Sequence, residues 1–136
     1  LPGIYGLNEA LRYLKEVGLD SIREKESQLA ACLLEGLATM ERVRIVGPKG
    51  IQGRMAVVSA DFLGYDNAQV AYYIQKHHGI RTRCGLHCAP SAHKTLGTFP
   101  QGTVRFSPGH FNTKAEMKKT LSAISEALKE LQSTPQ

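Results

Sequence analysis

Apolar residues recur at helical spacing near both ends of this chain and gather in short runs between them. Leu7, Leu11 and Leu14 share one side of a stretch from about Gly6 to Val17, with Glu9, Arg12 and Lys15 opposite. That spacing predicts a helix. Gly18 ends it, since glycine accepts the left-handed conformation of a helix stop. Ser21 and Glu24 form the pattern of a capping box for a second, longer helix. Its stripe runs through Ile22, Leu29, Leu33, Leu37 and Met40, widened by Ala30 and Leu34. Cys32 sits beside the stripe and reads as a small buried filler rather than a reactive thiol.

The middle of the chain alternates with shorter periods. Val43 to Val46 predicts a strand, with Val43 and Ile45 on one face, and Gly47-Pro48-Lys49-Gly50 a loop. Met55 to Phe62 predicts a second strand, broken by Gly64-Tyr65. Asp66, with Gln69 three positions on, starts a helix that buries Val70, Tyr73 and Ile74 and ends at Gly79. His77 and His78 are adjacent, point apart and read as surface residues at a helix C-terminus. Ile80 to Arg83 predicts a third strand and Thr103 to Ser107 a fourth, on which Val104 and Phe106 alternate. Between them lies a long loop, 84–102, of the kind that carries function. Thr113 and Glu116 make another capping box, opening a helix with Met117, Leu121, Ile124, Leu128 and Leu131 on its packed side. Ser133 to Gln136 reads as a tail.

Helix, helix, strand, strand, helix, strand, strand, helix is the order of an α+β domain. It predicts a three- to four-stranded, mostly antiparallel sheet with helices mainly on one face.

Composition narrows the function classes. A chain of 136 residues is a single domain by size. It holds 42% hydrophobic and 21% charged residues, an ordinary globular mixture. No apolar run is long enough for a bilayer and no signal-peptide pattern is present, so no membrane partner is expected. The net charge of +5 comes from scattered basic residues with few aromatics between them, which argues against nucleic acid. Three cysteines make an odd count. That points away from a disulfide framework and towards a reducing, cytoplasmic setting. Leu1-Pro2-Gly3 carries no initiator methionine and leads almost directly into a helix, as in a chain taken from something larger.

Chemistry concentrates in Arg83-Cys84-Gly85-Leu86-His87-Cys88-Ala89-Pro90. Three readings compete. Cys84, His87, Cys88 and His93 offer four potential zinc ligands, but Cys88 directly follows His87, which is awkward for one tetrahedral site. Alternatively Cys88 is a nucleophile. A thiolate needs positive neighbours and access to its target, and Arg83, His87, His93 and Lys94 surround Cys88 in sequence. The third reading is a plain loop with a buried thiol or two.

The segment resembles the active-site cysteine segment of the cysteine desulfurases of the short-loop group, within the class V aminotransferase family. Gly102-Thr103-Val104-Arg105-Phe106-Ser107, followed by Phe111-Asn112-Thr113, is similar to that family's carboxylate-binding segment. Pro2-Gly3-Ile4-Tyr5-Gly6-Leu7 resembles the start of its linker helix. The resemblance implies the C-terminal small domain of a fold-type I pyridoxal phosphate enzyme: 1–40 a helical linker and long helix, 41–136 an α+β core. It implies that Cys88 is the catalytic thiolate, taking sulfur from cysteine as a persulfide and leaving alanine. Arg105 would bind the substrate carboxylate, with Arg83 a second cationic group and His87 a proton-handling neighbour.

The same resemblance implies a cofactor held as a Schiff base by a lysine of a large domain. No lysine here matches that role, so no cofactor-binding residue and no metal ligand is assigned to this chain, and alone it is expected to be inactive. Cys84 departs from the pattern and adds a second thiol. Implied partners are the large domain, a second copy of the subunit and a sulfur-acceptor protein. Selenocysteine lyase or aminotransferase activity, a zinc-stabilised binding module and a cofactor-free sulfur carrier are the alternatives.

Overall fold

A computed structural model describes residues 1–131; the tail expected at 133–136 lies outside the described residues. The elements follow in the order α1 (Pro2–Val17), α2 (Leu19–Ala38), β1 (Val43–Val46), β2 (Val58–Phe62), α3 (Asn67–His78), β3 (Arg83–Gly85), α4 (Pro90–Thr95), β4 (Thr103–Phe106) and α5 (Lys114–Glu130). The fold is α+β. Its sheet has four strands in the order β1-β2-β4-β3, and every neighbouring pair is antiparallel.

Two-residue periodicity divides the sheet into a face covered by α2, α3 and α5 and an opposite face. Val58, Ala60 and Phe62 of β2 and Val104 and Phe106 of β4 are buried. They form one core with Leu29, Leu33 and Leu37 of α2, Val70 and Ile74 of α3, and Ile124 and Ala127 of α5. Phe62 is wholly buried, a contribution of about 1.5–3 kcal/mol for a side chain of its kind. The register puts Val43 opposite Phe62 and Cys84 opposite Val104, so these point to the helices as well. Arg44, Ser59, Asp61, Arg83, Thr103 and Arg105 occupy the alternate positions and face the other way.

Local chemistry explains most element ends. The Asp66 side chain accepts from the Ala68 backbone N–H, and Gly79 closes α3 at φ 70°. Thr113 and Glu116 make the full reciprocal capping box of α5. Elsewhere the expectations need correction. The helix expected from Ser21 begins at Leu19 with Gly18 as its N-cap and no side-chain cap, because Gly18 (φ 84°) turns the chain directly from one helix into the next. Helix α1 starts at Pro2, which suits a first turn whose N–H groups have no helical acceptor. None of its residues is buried, and Leu7, Leu11 and Leu14 remain exposed.

Strand β2 begins at Val58 rather than Met55, since its β4 partners run only from Val104 to Phe106. Met55 itself is exposed. The third strand is shifted from 80–83 to Arg83–Gly85, where β4 provides its hydrogen-bonding partners. Its 84–102 continuation is not one loop: Cys84 and Gly85 belong to the strand, and α4 occupies Pro90–Thr95. His77 is exposed as expected, whereas His78 is half-buried, with Nε2 3.3 Å from Glu126. Cys32 is half-buried against the core.

Candidate active site

Four residues singled out by the sequence are carried by β3, the turn after it and β4. Arg83 and Arg105 are direct cross-strand partners on the face turned away from α2, α3 and α5. Like charges in that relation destabilise a sheet, and among the described residues neither guanidinium has a carboxylate within ion-pairing distance. Arg105 Nε is in addition buried without a hydrogen-bond partner. The pair thus leaves two positive charges side by side with no counter-charge among the described residues.

Strand β3 delivers its chain into a tight turn. His87 and Cys88 have φ values of 51° and 62°, and the Ala89 N–H donates to Leu86 O at 2.8 Å. Two central residues with positive φ are the mark of a type I′ turn, which ordinarily uses asparagine and glycine. Side chains bearing a Cβ resist this conformation, at about 1–3 kcal/mol each. The turn lifts Cys88 to the surface, where its thiol is free. Arg83 Nη2 points at Cys88 Sγ across 3.8 Å, the kind of N–H contact that a thiolate nucleophile uses. Cys84 is different. It faces the helices, is half-buried, and burial pushes its thiol above the ordinary range, with the negative charge of Asp66 adding to the effect.

His87 lies deeper. Its Nε2 is 3.3 Å from the hydroxyl of Thr103, and its Nδ1 is sealed without a partner. Burial lowers its pKa, and the charges of Arg105, His93 and Arg83 lower it further; a hydrogen bond with the Thr103 backbone acts the other way. The ring is therefore held neutral near pH 7.

The base of the turn is fixed by close packing and by a buried polar network. Gly102 (φ 75°) lies so near Gly85 that a Cβ on it would fall on the Gly85 backbone. Asn67, wholly buried, donates to Gly102 O at 3.1 Å and to Asp61 at 3.0 Å, and accepts from the Phe62 N–H. Asp61 also accepts from Arg44 at 2.8 Å, and Arg44 reaches Gly97 O. Both ends of segment 97–102 are tied down in this way. His93 is buried, with Nδ1 2.7 Å from Thr98 Oγ1, and its ring centroid is 5.8 Å from that of His87.

Arg83, His87, Cys88 and Arg105 are thus brought together. Lys94 is not among them: its Nζ lies over the Phe99 ring. Among the described residues no three histidine, cysteine or carboxylate side chains gather as a metal site, so Cys84, His87, Cys88 and His93 do not assemble into the zinc arrangement. Thr103, Asn67 and Asp61 belong to the site's surroundings and escape a reading by residue type, whereas His93, singled out by the sequence, packs beside His87. One signal for Thr103 was available: it stands two positions before Arg105 on a strand and so shares its face. Two cavities among the described residues lie elsewhere, one of about 270 Å³ beside Thr82 and Glu116 and one of about 540 Å³ in the α1–α2 elbow.

Comparison with known proteins identifies the family and the fold. The family model described as Aminotransferase class-V matches residues 1–120. The chain is 30% identical over 125 residues to a probable cysteine desulfurase 2 of Mycobacterium leprae, covering 92% of this chain and 29% of that protein. Its fold matches the cysteine desulfurase CsdA of Escherichia coli, solved as the S-sulfonic acid, with a TM-score of 0.84 and 26% identity over 96% of this chain and 31% of the other. The apo cysteine desulfurase of Thermococcus onnurineus NA1 gives a TM-score of 0.81 and 34% identity, over 88% of this chain and 29% of the other. The chain belongs to the class-V aminotransferase family. It spans about 30% of the length of these relatives. No helix among the described residues is long and apolar enough to cross a membrane.

Proposed function

We propose that this chain is the C-terminal small domain of a pyridoxal phosphate-dependent cysteine desulfurase and provides the sulfur-accepting half of its active site. The observation that carries the reading is the placement of an exposed thiol, Cys88, beside Arg83 and its cross-strand partner Arg105, both without carboxylate partners among the described residues. In this reading Arg105 pairs with the carboxylate of cysteine, because a guanidinium fork binds both oxygens and fixes orientation. Arg83 adds a second positive charge and steers the thiolate. His87, neutral near pH 7, accepts or returns a proton.

The cofactor site lies outside what this chain assigns, and the residues present fit its substrate side: an anion-binding arginine pair and an exposed nucleophile. When bound, the cofactor provides the electron sink that labilises the substrate. The Cys88 thiolate attacks the substrate sulfur, forming an S–S bond as the carbon–sulfur bond breaks. The electron pair of that bond stays with the carbon fragment, which takes up a proton and leaves as alanine. Cysteine and the Cys88 thiol thus become alanine and a Cys88 persulfide, with no outside oxidant.

A large cofactor-binding domain, a second copy of the subunit, a sulfur-acceptor protein and a cytoplasmic setting complete the reading. Ile4, Tyr5, Leu7 and Leu11 of α1 stay exposed, which supports a neighbouring domain against this helix. The test is alanine release from cysteine by the enzyme that carries this chain. Cys88→Ala is expected to abolish release, and an undiminished rate would overturn the assignment.

A further inference from the structure

We propose that Thr103 is a positioning residue: it holds His87 in the Nε2–H tautomer and leaves Nδ1 as the bare proton acceptor beside the Cys88 turn. The inference deepens the proposed reaction and rests on it for the use made of that proton acceptor, but the tautomer stands or falls on its own. A neutral imidazole has one N–H and one lone pair, and the hydrogen bond made by one nitrogen selects the role of the other. Thr103 is buried at 1% exposure, and among the described residues its hydroxyl is the one side-chain hydrogen-bond partner of the His87 ring.

Two arrangements satisfy that contact. If the hydroxyl donated to Nε2, the proton would sit on Nδ1. That atom is sealed without an acceptor, and a fixed, buried N–H with no partner loses its bond to water without replacement. If Nε2–H donates to Thr103, the donor is satisfied and Nδ1 keeps a lone pair. The hydroxyl hydrogen of Thr103 is then free to rotate, which the ring N–H is not.

The surroundings hold the arrangement in place. Arg83 from β3, Arg105 from β4 and His93 from α4 are the charged or titratable groups facing His87, and Cys88 is its neighbour in the turn. Asp66 acts on Cys84 rather than on this ring. The register that opposes Gly85 to Thr103 sets the threonine beneath the turn. A single buried residue thereby defines which nitrogen of the ring keeps the lone pair.

Nitrogen-15 NMR of the histidine rings tests this without any sulfur chemistry. The spectra are recorded above the titration range of His87, whose signals are identified by their loss in His87→Asn. The expected result is a pyrrole-type Nε2 and a pyridine-type Nδ1. Thr103→Val, equal in shape but without the hydroxyl, should give averaged signatures of the two tautomers, and Thr103→Ser should restore the original pattern. A pyridine-type Nε2 in the unsubstituted chain would overturn the proposal, and so would an unchanged His87 signature in Thr103→Val. The unsubstituted spectrum decides the tautomer even if the valine variant fails to fold. Absence of sulfur transfer together with the expected tautomer would instead count against the reaction of Cys88.

Discussion

Arg83 and Arg105 stand directly opposite each other on neighbouring antiparallel strands, with no carboxylate between them among the described residues. A sheet gains nothing from that pairing. Removing one charge should therefore strengthen the fold while weakening the function. Arg105→Leu is expected to raise the free energy of unfolding by about 0.5–1 kcal/mol, read from urea denaturation. In the enzyme carrying this chain, the same change should lower kcat/KM for cysteine by roughly 10–150-fold, the worth of about 1.5–3 kcal/mol for a hydrogen bond to a charged group. A variant that loses both stability and activity would mark Arg105 as a structural residue.

The two thiols of the motif should separate cleanly. Cys88 is exposed, whereas Cys84 faces the helices and burial holds its thiol protonated at higher pH. Alkylation near pH 7 followed by mass spectrometry should label Cys88 first, with Cys84 following only as pH rises or the chain unfolds. Equal rates at both would contradict the division of roles.

His87 should leave a signature in stability. Its folded-state pKa lies below the unfolded value of about 6.5, so the unfolded chain binds the proton more readily. Stability from this group is therefore complete above about pH 6.5 and is lost as pH falls through the lowered folded-state value. Denaturation midpoints between pH 7.5 and 5, at about half-unit steps, should fall less steeply in His87→Gln than in the unsubstituted chain. Identical slopes would contradict the burial and charge environment described.

The edge of the site depends on the approach of Gly102 to Gly85. Gly102→Ala adds a Cβ where there is no room and at a φ of 75°. It should destabilise by about 2 kcal/mol or more and loosen the β3–β4 edge, visible as faster amide exchange at Arg83 and Arg105. Thr113→Ala, at the capping box of α5, should cost about 1 kcal/mol without altering exchange at that edge.

What could be read from the sequence was what short-range chemistry decides. Asp66, Gly79 and the Thr113–Glu116 box mark helix ends through bonds to backbone a few residues away, so their residue types suffice. Val43 to Val46 was legible because Val43 and Ile45 alternate with Arg44 in a run of β-branched residues. The third strand was misplaced because its position is set by β4, some twenty residues further on, and not by its own apolar run. Helix α4 was missed for want of a side-chain cap, although Pro90 at its start is a recognised N-terminal signal. Cys88, Arg83 and His87 stand out by residue type and Arg105 by the family resemblance, and β3, the turn after it and β4 hold them near one another. That Arg83 faces Arg105 and that Thr103 lies under His87 depends on register, which a one-dimensional pattern does not carry. The left-handed turn at His87 and Cys88 was hidden for the opposite reason, since neither residue type favours it.

The most direct test of the account is to find where sulfur goes. The enzyme that carries this chain, loaded with pyridoxal phosphate and incubated with cysteine in the absence of reductant, is digested under non-reducing conditions and its peptides are weighed. The account predicts one added sulfur atom on the peptide containing Cys88, released by reductant and absent in Cys88→Ala, with Cys84 and Cys32 unmodified. Sulfur on Cys84, or alanine formed with no persulfide on Cys88, would contradict it.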